Sequence, residues 1–198
     1  MPQAKVVNLD MHAIATLRYI RASMDGAGSV AIPGSAGNAM GGIGLTAAAL
    51  SSMPDLAAYW LLIWLIAAPL AVLVGGVLLA KSRSITTFVA IGTPGRKLAL
   101  GLMPSIFAGA VLTAVLWNAG LVEAIPGTWL LLYGCALVSA SVSTIASVAW
   151  MGVCFAGLGI VALVGPAGLH VPLLALGFGG LHIVFGILIA RGVNGRES

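Results

Sequence analysis

The chain has 198 residues, 60% of them hydrophobic and only 7% charged, with a mean hydropathy of +1.11 and a formal net charge of +4. Soluble domains carry about a quarter charged residues, so this composition excludes a water-soluble globule and points to a polytopic integral membrane protein. The positive charge then bears on orientation and on anionic lipid head groups, not on nucleic acid, and Cys135 and Cys154, both inside apolar runs, provide no disulfide framework.

Residues 1–33 precede the first apolar run. Between residues 8 and 24, Leu9, Ala13, Leu17, Ile20 and Met24 recur at spacings of three and four while Arg18 and Arg21 lie off that stripe, the pattern of an amphipathic helix. It suits either the inner membrane surface or the cytoplasmic ends of a helix bundle. The length and composition of this segment do not match a secretory signal.

Span one is expected over 34–53. It is rich in Gly and Ala and contains Asn38, and its small residues Gly37, Gly41, Gly44, Ala48 and Ser52 form a stripe that lets another helix approach closely. The same glycines make a formal GxGxxA pattern, but no strand precedes it, and helix packing accounts for it without a nucleotide. Span two is expected over 56–80, with Tyr59, Trp60 and Trp64 at the outer head-group level and Pro69 as a hinge candidate. Span three, over 98–120, carries a second hinge candidate, Pro104.

From Thr128 to Val164 run 37 uncharged residues, too many for one crossing of about 20 residues. The polar patch at 139–147 divides them into span four, 127–141, and span five, 147–164. Span six is expected over 171–190, and residues 192–198 form a tail.

Between spans two and three the segment 81–97 holds Lys81, Arg83, Arg96 and Lys97. Positive charge stays on the cytoplasmic side. Six spans with both termini cytoplasmic put all nine Lys and Arg residues inside and leave Asp55 and Glu123 outside. The expected fold class is therefore all-α, a six-span transmembrane helical bundle preceded by an amphipathic N-terminal helix. An echo of Ala31-Ile32-Pro33-Gly34 in Ala124-Ile125-Pro126-Gly127 raises a 3+3 inverted repeat as an alternative to shared helix-start chemistry.

Chemistry within the membrane has one candidate. His182 shares the stripe Ala175, Gly179, His182, Gly186 and Ala190, about 16 Å from the outer end of its span. An ionisable residue at that depth is a functional-site hypothesis, against which stands a neutral imidazole hydrogen-bonded to a neighbouring carbonyl or hydroxyl. A metal site with Cys135 and Cys154 would lack a fourth ligand, so the cysteines read as small apolar fillers. The chain has no HExxH, GxSxG, P-loop or CxxC motif. No catalytic group, metal or cofactor is assigned.

The segments HAIATLRYIRASMDGAGSVAIPG (12–34), PGTWLLLYG (126–134) and GFGGLHIVFGILIAR (177–191) resemble those of uncharacterised small bacterial six-span inner-membrane proteins. The resemblance implies a bacterial cytoplasmic membrane and transfers no activity. The expected function is that of a non-enzymatic bundle associating with lipid, with itself or with another membrane protein. The alternatives are a small-solute transporter or channel, and a haem, pigment or metal binder through His182.

Overall fold

The structure, a computed structural model, describes residues 14, 16–17, 34–82, 94–141 and 146–194. Of the expected amphipathic segment, Ile14, Thr16 and Leu17 are helical and exposed, and the remainder lies outside the described residues. So do 83–93 of the basic segment, the middle of the 139–147 turn, and the tail beyond residue 194.

The described chain is helical throughout. We label the helices α1 (Gly34–Ser51), α2 (Trp60–Ser82), α3 (Pro94–Asn118), α4 (Ala124–Ala140) and α5 (Ala146–Val164), followed by α6 over 170–194. Helix α6 is continuous but not uniform: α-helical at His170–Leu174, π-helical at Ala175–Leu181, and α-helical again at His182–Asn194. By length and hydropathy, α2, α3, α5 and α6 are each able to cross a membrane. Uninterrupted helix is what an apolar solvent demands, because every backbone N–H and C=O must find its partner within the segment. Side-chain hydroxyls follow the same logic. Thr46, Ser51, Ser52, Thr113 and Thr128 each donate to the carbonyl four residues earlier.

Helices consecutive in the chain run antiparallel, as do α1 and α6. Helix α1 packs on α2 and α6, α4 packs on α3 and α5, and α6 closes the ring against α5 and α4. Helices α2 and α3 make no extended contact, so the ring is open there. Lys81, Arg96, Lys97 and Arg191 fall at one end of this arrangement, at the end of α2, the start of α3 and the end of α6, whereas Asp55 and Glu123 fall at the other.

The closest approach involves α1 and α6. A Cβ on Gly37 would stand 3.0 Å from the His182 carbonyl oxygen, and one on Gly44 would stand 2.6 Å from that of Phe178. Gly41 meets Gly179 and Ile183, Gly186 meets Gly34 and Asn38, and Ala48 is buried beside them. Only hydrogen at these Cα positions allows the two backbones to come this near. The echoed glycines do not occupy equivalent places, since Gly41 faces α6 while Gly134, its counterpart, faces α5.

Between α3 and α4 the chain reverses at Gly120, whose φ of 73° is in the left-handed region. Leu121 N–H bonds to Leu116 and Gly120 N–H to Trp117, a Schellman cap that ends α3. Helix α4 begins at Ala124 and includes Pro126 in its first turn, where the missing N–H has no intrahelical partner to lose. Pro69 and Pro104 both lie within unbroken helices, each with an exposed ring.

Phe155, Ile125, Leu130 and Leu174 are completely buried, and Leu130, Phe155 and Leu174, from α4, α5 and α6, belong to one apolar core. Trp64, near the start of α2, is turned into the bundle, only 3% exposed and packed against Phe178 with ring centroids 5.8 Å apart. One expectation for individual side chains changes: the cysteines are not buried fillers, because Cys135 and Cys154 both face outward.

Candidate functional site: a cavity walled by His182 and Tyr133

His182 stands at the midpoint of α6, at the first α-helical position after the π segment. The glycines at 177, 179 and 180 contribute no side chains to hold an α-helical register there, and π turns of this kind recur at functional positions. The ring is buried and its Nε2 is 2.9 Å from the Tyr133 hydroxyl. Tyr133 comes from α4, so the bond ties together two helices that otherwise touch little. Around this pair, Phe155 packs edge-on to Tyr133 at 4.8 Å and to His182 at 5.5 Å, while Phe178 stacks on His182 at 6.3 Å. Aromatic contacts of this geometry favour offset and edge-to-face orientations and lock the rings in place.

The imidazole also lies within hydrogen-bonding reach of the Gly177 and Phe178 carbonyls of its own helix, whereas the indole nitrogen of Trp64 is buried without a hydrogen-bond partner among the described residues. The indole of Trp129, in contrast, donates to Thr113 Oγ1 at 2.7 Å. That hydroxyl in turn donates to the Gly109 carbonyl at 2.7 Å.

These side chains wall a cavity of about 680 Å³, within the range of pockets that enclose small organic ligands. Its inner wall comprises Met40, Ile43 and Gly44 of α1, Trp129, Leu132 and Tyr133 of α4, and Phe178 and His182 of α6. Helix α2 contributes one side, from Trp64 to Leu73, and α3 the other, from Met103 to Thr113. The surface is almost wholly apolar. No Asp, Glu, Lys or Arg lines it, and its polar groups are Ser105, Thr113, Tyr133, His182 and the two indole N–H groups.

The chain matches no family model, no curated protein and no solved structure. The site must therefore be read from its own chemistry.

The expected site residues are dispersed between lining and support. His182, Gly44 and Pro69 line the cavity, Gly37, Gly41, Gly179 and Gly186 belong to the α1–α6 seam behind it, Ala48 is buried on α1, and Pro104 lies beside the cavity on α3. No group of three or more metal-ligating side chains occurs among the described residues. Tyr133, Phe155, Phe178, Trp64 and Trp129 carry no signal that sets them apart from lipid-facing or interfacial aromatics in the sequence. Only the burial of a phenol at the depth of His182 on an opposing span could have suggested the hydrogen bond, and that requires knowing which helices are neighbours.

Proposed function

We propose that the chain is a six-span membrane protein that binds one lipid-like molecule in the cavity between α2 and α3, acting by association and not by catalysis. The observation that carries this reading is the position of the opening. The gap is bordered by Val72 and Leu73 of α2 and by Met103 and Ile106 of α3, all exposed and near the middle of their helices, and by the exposed Leu65 closer to the start of α2. A cavity entered at that height communicates with acyl chains and not with water. Helices α1 and α4, at 18 and 17 residues, span about 25–27 Å and are flanked by longer neighbours, which supports their crossing with the rest of the bundle. The cation-rich end faces the cytoplasm under the positive-inside rule, and the resemblance noted above supports a bacterial inner membrane.

Filling the cavity tests the binding. Protein purified in mild detergent and extracted with organic solvent is expected to yield about one apolar molecule per chain. Ala68→Trp and Ala110→Trp, which put an indole into the cavity from either side, should lose it while keeping the wild-type helical circular dichroism. Retention of the molecule by both folded variants, or its absence from the wild type, would refute the reading.

Orientation is tested separately, in a Cys135→Ala, Cys154→Ala background. A cysteine at Asp55 should react with a membrane-impermeant maleimide added to intact cells, and a cysteine at Lys81 only after permeabilisation. The opposite pattern would invert the topology.

A further inference from the structure

Resting on that reading, the distribution of charge around the gap narrows the ligand. We infer that the occupant is an anionic glycerophospholipid, its phosphate held where Lys81 ends α2 and Arg96 and Lys97 begin α3, with one acyl chain laid between the two helices into the cavity.

Two observations converge. The first concerns charge. Lys81 is exposed in the last turn of α2, and Arg96 and Lys97 fall in the first turn of α3, the two helices that stay apart. No Asp or Glu occurs between Asp55 and Glu123, so neither helix carries a carboxylate to offset these cations. The start of α3 adds a partial positive charge of its own. The positive-inside rule asks for cations at this end of the bundle, but it does not say at which turn, and the turn between α4 and α5, residues 141–145, has none. Positive charge is thus gathered beside the gap, where an anionic head group at the membrane surface would meet it.

The second is an apolar track that joins those cations to the cavity. On α2, Leu73, Val77 and Lys81 recur at a spacing of four, and on α3, Arg96, Leu100 and Met103 recur at four and three, so each set shares one helix face. Leu73, Val77, Leu100 and Met103 are all exposed, from 45% to 65%, and Leu73 and Met103 line the cavity. Along the helices, Lys81 is about 12 Å from Leu73, and Arg96 about 10 Å from Met103. An acyl chain spans half the hydrocarbon core, about 15 Å, which carries it past both residues to the level of Ala71 and Ile106 on the cavity wall. No ionised side chain lines the cavity, so the phosphate stays with the cations and only the chain enters.

Lipid retained by the purified protein tests this. The protein is exchanged into micelles holding equal amounts of phosphatidylglycerol and phosphatidylcholine with identical chains, re-isolated, and its lipid counted by mass spectrometry. We expect about one phosphatidylglycerol per chain, preferred about tenfold over phosphatidylcholine, and a weaker preference at about 0.5 M salt. Lys81→Gln should lower that preference about fivefold, the share of one cation at a membrane surface. The triple variant Lys81→Gln, Arg96→Gln, Lys97→Gln should abolish it while still retaining one lipid. Ala71→Trp, which fills the end of the cavity nearer the cations, should lose the bound phosphatidylglycerol with every cation in place and wild-type helical circular dichroism. Equal retention of the two lipids by the wild type, a preference that survives the triple variant, or a solvent extract with one molecule per chain and no phosphorus would each overturn the inference and leave the cavity's occupancy standing. Undiminished phosphatidylglycerol on folded Ala71→Trp would overturn it by parting the head-group site from the cavity. A wild type that retains no molecule would instead overturn the occupancy itself.

Discussion

Replacing Gly134 with alanine is expected to destabilise the protein by about 2–3 kcal/mol, whereas the same replacement at Gly157 changes stability by no more than about 0.5 kcal/mol. Both are helical glycines in the α4–α5 pair, and the sequence does not distinguish them. Their surroundings do. A Cβ on Gly134 would stand 2.5 Å from the Ala156 nitrogen and 2.7 Å from the Gly152 carbonyl oxygen. Both are backbone atoms of α5 and cannot rotate aside, so the helices must separate. A Cβ on Gly157 meets nothing within 4 Å. In an apolar solvent the association of helices depends on van der Waals packing and not on expulsion of water, so parting α4 from α5 loses contact along much of their length. Reversible unfolding in mixed detergent micelles, followed by circular dichroism, measures both variants. Equal stability of the two would show that α4 and α5 are not in the contact described.

Phe155→Ala should cost about 3–5 kcal/mol, and Phe155→Leu markedly less. Phe155 is the largest fully buried side chain, and its ring touches Tyr133, Phe178 and His182. Truncation leaves a void where α4, α5 and α6 meet, and the neighbouring Gly177 has no side chain to move into it. The loss should be accompanied by a change in near-ultraviolet circular dichroism, as the Tyr133 and Phe178 rings lose a packing partner, with little change in helix content. A void-sized destabilisation without that spectral change would show that the aromatic cluster is not held by Phe155.

The membrane class and the division into helices were legible in the sequence for a simple reason: both depend on local composition. Hydrocarbon excludes charge, so apolar runs and the charged punctuation at Lys81, Asp55, Glu123 and Arg191 delimit helices directly. Even the run from Thr128 to Val164 divides at its serine-rich middle, with α4 ending at Ala140 and α5 starting at Ala146. The small-residue stripe of α1 was also visible, because spacing on one helix is a property of that helix.

Which helix meets which was not legible. In water an amphipathic face reveals what is buried, but here lipid-facing and protein-facing surfaces are equally apolar, and a leucine or tryptophan reads the same on either. The inward turn of Trp64 was therefore not visible, the cysteines passed for small apolar fillers although they face outward, and the phenol that bonds His182 went unnoticed. His182 was singled out by sequence alone because it is the one histidine deep in an expected span, with no Asp, Glu, Lys or Arg at that depth. Its partner at Nε2 and the π turn that presents it belong to the tertiary structure of α4 and α6. The cavity is more remote still from the sequence. It exists because α2 and α3 stay apart, and the space between two helices is encoded in neither of them but in the packing of all the others.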